Sequence, residues 1–155
     1  MWAAGPIIAC MFNAIVVGTD GSGTAGEAVR QATALARTCG AKLHLVTAYR
    51  PLETMYLAPE VLPAGIHELV DPGAEAGKVV AEAAAKVRAE GVEVETHACA
   101  GDPAGALIDI AESASADLIV VGSRGMTTKA RFLLGSVPNK VAHHAPCTVM
   151  IVRTC

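Results

Sequence analysis

Short apolar runs alternate with helix-forming stretches along this chain of 155 residues, and no other feature constrains its fold as strongly. Runs rich in Val, Ile and Leu predict buried strands, and the patterns between them are mostly helical. Strands separated by helices form right-handed crossovers and a parallel sheet with both faces covered. The sequence therefore predicts one doubly wound α/β domain. Its predicted strands are 13–18, 42–48, 92–98, 117–122 and 147–153.

The predicted helices have recognisable ends. Gly40 and Gly91 end the first two, and Asp102-Pro103 supplies the third with an N-cap and a proline at its first position. These helices are predicted at 24–39, 73–90, 103–115 and 136–144. We assume the strand order 3-2-1-4-5, a five-stranded Rossmann-like sheet whose winding reverses between the first and fourth strands. Ligands bind beyond the carboxyl ends of the strands at such a point.

Composition limits the classes of function. The chain is 52% hydrophobic and 3% aromatic, so its core must consist of Ala, Val, Leu and Ile. The net charge is −3, and no basic patch suggests a nucleic-acid partner. The cysteines are far apart and form no CxxC pair, which favours reduced, buried or terminal thiols of an intracellular protein. They are Cys10, Cys39, Cys99, Cys147 and Cys155.

The apolar amino-terminal residues are read as an appendage. No Lys or Arg precedes Arg30, so the basic region of a secretory signal is missing. Gly5-Pro6 leaves too short a run for a membrane-spanning helix, and Met11 is an alternative start. We therefore expect an appendage at 1–11 and a cytoplasmic domain at 12–155 that has no membrane partner. The proline-containing segment 50–72 is expected to be a loop, either a lid or disordered.

The first glycine-rich loop, GTDGSGTAG, follows the first strand. It contains GxGxxG, but Gly21 is the third residue after the strand rather than its end, and no acidic residue closes the second strand as a dinucleotide site requires. Thr24 stands where a phosphate-binding GxxxxGK[ST] loop needs lysine. Gly18 stands where an aspartyl phosphatase has its nucleophile. Asp20 is expected to accept hydrogen bonds from ribose, to hold a divalent cation through water, or to cap the first helix.

The second glycine-rich loop follows the fourth strand and has the spacing G-x2-G-x9-G-S. Its backbone amides, from Ser123 to Met126, are expected to form a concave nest for phosphate. The helix that starts near Ser136 adds free N–H groups and the positive end of its dipole. Arg124 adds positive potential. A glycine-rich turn without a ligand, with Ser136 as a helix cap, remains the alternative.

Three segments, IVVGTDGS, IVVGSRG…LLGSV and CTVMIV, resemble the universal stress protein family over about residues 12–153. The G-x2-G-x9-G-[ST] signature marks that family's ATP-binding branch. The resemblance implies a regulatory, stress-response protein that binds ATP or another adenine nucleotide, with Mg²⁺ or Mn²⁺ on the phosphates. Thr47-Ala48 departs from the His-Val pair of many members. The implied contacts are Gly18, Thr19 and Asp20 for ribose, Ala48 for adenine, and Gly122, Ser123, Arg124, Gly125, Met126, Gly135, Ser136 and Val137 for phosphates.

Neither loop contains an evident nucleophile or general base, so we expect at most slow ATP hydrolysis. The alternatives are a hydrolase or a phosphoryl- or nucleotidyl-transfer enzyme of the same fold, a cyclic-nucleotide binder, and a pure interaction module. The apolar strand 147–153 lies at the sheet edge in the assumed order and is expected to pair with a second copy in a homodimer. His143-His144 is not expected to bind zinc, and His44 and His97 are expected to be packed or edge-facing.

Overall fold

The computed structural model describes residues 10–51, 71–123 and 133–154. Strands and helices alternate along the described chain. The strands are β1 (Ala14–Gly18), β2 (Lys42–Tyr49), β3 (Val94–Ala100), β4 (Leu118–Gly122) and β5 (Thr148–Val152). The helices are α1 (Gly23–Cys39), α2 (Pro72–Ala89), α3 (Pro103–Ser113) and α4 (Ser136–His144).

The strands form one parallel sheet in the order β3-β2-β1-β4-β5. Each neighbouring pair is parallel, and Val17 on the central strand lies opposite Leu45 on one side and Val120 on the other. The predicted α/β class and strand order are therefore confirmed. The winding reverses between β1 and β4, which places the glycine-rich loops after these strands at the same edge of the sheet.

The boundaries differ from the predictions by a few residues. β3 begins at Val94 and continues to Ala100, because its last residue still lies in register with Tyr49 of β2. The apolar pattern predicted 92–98, since Cys99 and Ala100 carry no strong strand signal. α3 ends at Ser113 rather than Ser115, because Ser115 takes a positive φ of 49° and leaves the helix.

The core has two layers, one on each face of the sheet. Alternate residues of β1 point to opposite faces, so Ile15 packs against α1 and α2 while Val16 packs against α3 and α4. The helices contribute mainly small side chains, such as Ala28, Ala32 and Ala84, to these layers. The expected aliphatic core is present. No helix within the described ranges is both long and apolar enough to cross a membrane.

A disulfide joins Cys10 to Cys39 across a sequence separation of 29 residues. The expectation of reduced thiols is therefore wrong for this pair. β1 and α1 run in opposite directions, so the segment before β1 and the end of α1 meet at one end of the sheet, with Cα atoms 5.1 Å apart. Cys99 and Cys147 are free and half-buried, and burial raises the pKa of both thiols. Cys155 lies outside the described residues.

Asp102 connects two helices on one face of the sheet. Its Oδ2 accepts the Gly105 N–H at 2.8 Å, which caps α3, and also accepts Lys140 Nζ of α4 at 2.7 Å. The hydrogen bond from Lys140, followed by that from Gly105, lowers the pKa of Asp102. A lowered folded-state pKa stabilises the fold above the pKa of an unfolded aspartate, and this contribution is lost as the pH falls through the folded-state pKa.

Asp102→Ala is therefore expected to lower the free energy of unfolding by about 1 kcal/mol at neutral pH, because the helix loses its cap. Asp102→Asn keeps a capping oxygen and removes only the charge, so it should lose much less. Urea unfolding at neutral and at acidic pH measures both differences. The advantage of wild type over Asp102→Asn should disappear in acid, and a difference that stays constant with pH would contradict the charged role.

Candidate functional site

An open cleft lies beyond the carboxyl ends of β1, β2 and β4, where the winding of the sheet reverses. Its empty volume is about 730 Å³, which includes space open to solvent. Six of the residues predicted from the sequence line it together: Gly18, Thr19, Asp20, Ala48, Gly122 and Val137. The remaining lining residues come from the starts of α1, α3 and α4 and from the strands, and are Ser22, Thr24, Ala25, Val46, Pro103, Leu107, Val121 and Pro138.

Gly18 lies at the floor of the cleft, where the end of β1 faces α3. A Cβ at this position would lie 3.4 Å from two methyl carbons of Leu107, at the short end of ordinary van der Waals contact. A side chain larger than a methyl group would therefore meet Leu107 at this point. Leu107 and Val46 supply apolar surface beside it, which suits the face of a flat ring.

Thr19 continues the floor and is held by β2. Its N–H donates to Val46 O at 2.9 Å, and its carbonyl accepts the buried Thr47 hydroxyl at 2.8 Å. Thr47 and Ala48 point to opposite faces of β2, so only Ala48 faces the cleft. Thr47 thus holds the loop in place. Ala48, with its small side chain, leaves space in the cleft beside the loop.

Asp20 is exposed at the rim. Its Oδ1 accepts the Ser22 N–H at 2.9 Å, whereas Ser22 Oγ accepts the Ala25 N–H and caps α1. The capping alternative for Asp20 is therefore wrong, because Ser22 performs that role. Oδ2 of Asp20 has no hydrogen-bond partner among the residues that the structure describes. One carboxylate oxygen consequently remains available to a sugar hydroxyl or a hydrated cation.

Gly21 explains why a glycine-rich sequence follows β1. Its φ of +79° lies in the left-handed region, and a Cβ there would approach Val79 Cγ1 to 3.2 Å. The residue is needed for the turn that leads into α1. The turn thus explains the first glycine of the partial GxGxxG pattern without a bound dinucleotide.

The opposite side of the cleft is formed by the end of β4 and the start of α4, where Gly122, Val137 and Pro138 line it. Ser123, Gly135 and Ser136 lie close to these residues in the chain but are not part of the lining. The Ser123 carbonyl accepts the Gly135 N–H at 3.0 Å, and this bond brings the two ends of the second glycine-rich loop together. Gly135 is the N-cap residue and offers no side-chain hydrogen bond. The N–H groups of Ser136 and Val137 have no partner in the described part of the chain. They and the helix dipole form an anion-attracting end.

Ser123 has a different role from the one predicted. Its N–H donates to Val152 O at 2.7 Å, and its Oγ accepts the Thr154 N–H at 3.2 Å. The amide of Ser123 is therefore not available to a phosphate nest, because β5 already uses it. The other predicted nest residues, Arg124, Gly125 and Met126, lie outside the described residues.

The sequence interpretation missed the apolar lining of the cleft. Val46, Pro103, Leu107 and Val121 carry no functional group that marks them as ligand contacts. The signal that could have revealed Val46 is its position two residues before Ala48, which places both side chains on one face of β2. Leu107 required the packing of α3, which a sequence pattern does not provide.

Comparison with known proteins agrees with this architecture. The model of the Universal stress protein family matches residues 11–153. A universal stress protein of Mycobacterium tuberculosis is 35% identical over 144 residues, which cover 92% of this chain and 97% of the relative.

Solved structures are similar over nearly the whole chain. A universal stress protein in complex with cAMP has a TM-score of 0.72 and 34% identity, covering 94% of this chain and 99% of that one. A universal stress protein from Archaeoglobus fulgidus in complex with dAMP has a TM-score of 0.64 and 25% identity, covering 92% and 99%. Family model, sequence relatives and structures agree, and the chain belongs to the universal stress protein family.

Proposed function

We propose that this chain binds ATP, or another adenine nucleotide, in the cleft between β1 and β4 and acts as a regulatory protein in a stress response. The observation that carries the proposal is the convergence of Gly18–Asp20, Ala48 and Gly122 with the uncapped start of α4. Relatives that were solved with cAMP and dAMP support adenine as the base. The complete G-x2-G-x9-G-S spacing supports the ATP-binding branch.

In this proposal the cleft holds the nucleotide in three parts. Adenine lies against Ala48, Val46 and Leu107, where the surface is apolar. Ribose lies beside the main chain of β1's end, within reach of the available oxygen of Asp20. The phosphates meet the free N–H groups of α4 and the second loop, in which Gly122, Ser123 and Gly135 shape the backbone and Arg124, Gly125 and Met126 supply further donors.

A divalent cation fits the rim of this cleft. Mg²⁺ is usually bound by one or two carboxylates together with phosphates and water, and Asp20 provides one exposed carboxylate with an oxygen that no described group occupies. Mg²⁺ or Mn²⁺ would neutralise phosphate charge there. Asp20 is the single titratable side chain in the described lining. In this proposal it is engaged with the ribose or the cation, so the described lining supplies no further base for rapid phosphoryl transfer.

Isothermal titration calorimetry and mass spectrometry test the proposal. Small molecules released from freshly purified protein should include an adenine nucleotide, and ATP should bind with roughly micromolar affinity, or about 8 kcal/mol. Tighter binding of cAMP than of ATP would favour a cyclic-nucleotide binder. A turnover above about 1 s⁻¹, the low end of ordinary enzymes, would favour a hydrolase. Absence of binding to every adenine nucleotide would overturn the proposal and leave an interaction module.

Asp20→Ala is expected to weaken ATP about tenfold and to affect free triphosphate less, because the lost partner is a ribose hydroxyl. Asp20→Asn is the matched control, since its amide oxygen can still accept from the Ser22 N–H and from the sugar. Calorimetry with and without Mg²⁺ separates the two roles. Equal losses for ATP and triphosphate, seen only with Mg²⁺ and in both variants, would assign Asp20 to the metal.

We also propose a homodimer formed through β5, which the sheet order places at an edge. Val152 O accepts the N–H of Ser123, the residue that follows β4. The backbone N–H and C=O groups alternate in direction along β5, so those of Val149 and Ile151 face away from the sheet. The side chain of Ile151 is 41% exposed. A second copy pairing antiparallel about a twofold axis would satisfy both edges. The cytoplasmic location expected from the sequence stays a prediction.

A further inference from the structure

We propose that His44, Glu95 and His97 form a binding site for a divalent transition metal, with Zn²⁺ as the best match. The site lies on β2 and β3 and is separate from the nucleotide cleft. One ligand atom from each side chain lies within 4.8 Å of the other two. Two imidazoles and one carboxylate are a donor set that Zn²⁺ accepts, usually with water as the fourth ligand.

The parallel register brings these residues together. His44 lies opposite Glu95, and Val46 lies opposite His97. Glu95 and His97 are two residues apart on β3 and therefore point to one face of the sheet. That face is the one covered by α3 and α4 further along, because Val46 belongs to the core layer on that side. The three ligand side chains thus converge from two adjacent strands without any change of backbone.

The distances suit a metal ion. His44 Nδ1 lies 3.1 Å from His97 Nε2, and Glu95 Oε1 lies 3.8 Å from the same nitrogen. Zinc–nitrogen bonds of about 2.0–2.1 Å in a tetrahedron place the ligand atoms about 3.3 Å apart. Small rotations of the side chains would therefore admit an ion. The hydrogen bond between the two rings would be replaced by two metal bonds.

The surroundings of His44 also suit ligation. His44 is only 6% exposed, and its ring is already held against the ring of His97 by their hydrogen bond. Two side chains positioned in this way lose little conformational freedom when they bind an ion. The structural alternative is a His–His hydrogen bond beside a cross-strand ion pair between Lys42 and Glu95, an arrangement that would bind no metal.

Lys42 orients the carboxylate. Its Nζ holds Glu95 Oε2 at 2.8 Å and lies 3.6 Å from Glu93 Oε1, so Oε1 of Glu95 remains turned toward His97. The ion pair with Lys42 thus fixes the position of the Glu95 carboxylate. The two carboxylates offset the charge of Lys42, and the local balance is one negative charge. Such outer-shell contacts commonly fix the geometry of metal ligands.

Solvent reaches the site, and the nucleotide does not. The side chain of Glu95 is 49% exposed, which leaves room for water as a fourth ligand and for exchange of the ion. His44 precedes Ala48 by four residues on the same strand, or about 13 Å at 3.3 Å per residue. Metal binding should therefore require no nucleotide, and its failure would leave the proposed nucleotide function untouched.

Titration of the chelator-treated full chain with Zn²⁺, without nucleotide or thiol reductant, tests the proposal. We expect one equivalent of Zn²⁺ per chain and a rise in Tm on binding. Loss of an outer-shell partner costs 10–100-fold in affinity, so loss of a direct ligand in His97→Ala should cost at least about 100-fold. Glu95→Gln preserves size and should weaken binding more than about tenfold.

Matched controls use residues outside the site. A His143→Ala/His144→Ala double variant and Cys99→Ala should bind Zn²⁺ as wild type does. Circular dichroism and the metal-free Tm establish that each variant is folded, and Glu95, being exposed, provides a test even where His97→Ala is unstable. Absence of Zn²⁺ binding to wild type, unchanged binding in Glu95→Gln, or loss of binding in either control would overturn the proposal.

Discussion

Ser136→Glu is expected to weaken ATP binding by at least about 100-fold, or about 2.7 kcal/mol. Ser136 is exposed at the first position of α4, where the N–H groups are uncapped. A carboxylate there would repel the phosphates and compete with them for the same donors. It would also suit the positive end of the helix dipole, so the fold should remain as stable as in wild type. Calorimetry and thermal unfolding measure the two effects.

Ser136→Gln is the matched control, because it has nearly the size of glutamate and no charge. We expect it to retain ATP affinity within about tenfold. Equal weakening by Gln and Glu would indicate a steric effect or a lost hydroxyl contact. Unchanged affinity in Ser136→Glu would mean that the phosphates bind elsewhere, and the assignment of α4 would then be wrong.

Ile151→Pro is expected to convert the proposed homodimer to monomers. The N–H of Ile151 faces outward from the sheet edge, so proline removes a donor to the second copy while the ladder between β5 and β4 stays intact. Because the dimer is twofold symmetric, two hydrogen bonds between the copies are lost, and the proline ring also packs poorly at the interface. We expect the free energy of dimerisation to fall by at least about 2 kcal/mol, or about 30-fold in dimer affinity. Light scattering across a concentration series measures the change.

Ile151→Val retains the donor and most of the apolar surface and should remain dimeric. Light scattering of the wild type should give a molar mass twice that of one chain, which is 15.8 kDa. A wild-type mass of one chain would exclude the dimer. A proline variant that is folded and still dimeric would place the interface on another surface.

The sheet was predictable because its signals are local. β1 and β4 are short runs rich in β-branched residues that end in glycine. β4 is buried except at that glycine, and β1 is buried except at its glycine and at Ala14. Helix ends were equally readable where a cap or glycine marks them, as at Asp102 and Gly40. The residues at the strand ends then followed from the rule that ligands bind at the reversal of winding.

Contacts between distant residues were not predictable. The bond between Cys10 and Cys39 depends on the opposite directions of β1 and α1, and the pairing of His44 with His97 depends on the register of β2 and β3. The hydrogen bond from the Ser123 N–H to Val152 O depends on where the pairing between β4 and β5 ends. Each of these depends on tertiary arrangement, and single-residue patterns carry no information about it.

The central claim is that an adenine nucleotide occupies the cleft at the reversal point of the sheet. Mapping amide chemical shifts of the ¹⁵N-labelled full chain during titration with Mg²⁺ and ATP tests this most directly. We predict saturable shifts at Thr19, Asp20, Ala48, Gly122 and Ser136, on three strand ends and one helix start. Shifts confined to other surfaces, or no shifts at millimolar ATP, a concentration about 1,000-fold above the proposed Kd, would contradict the account.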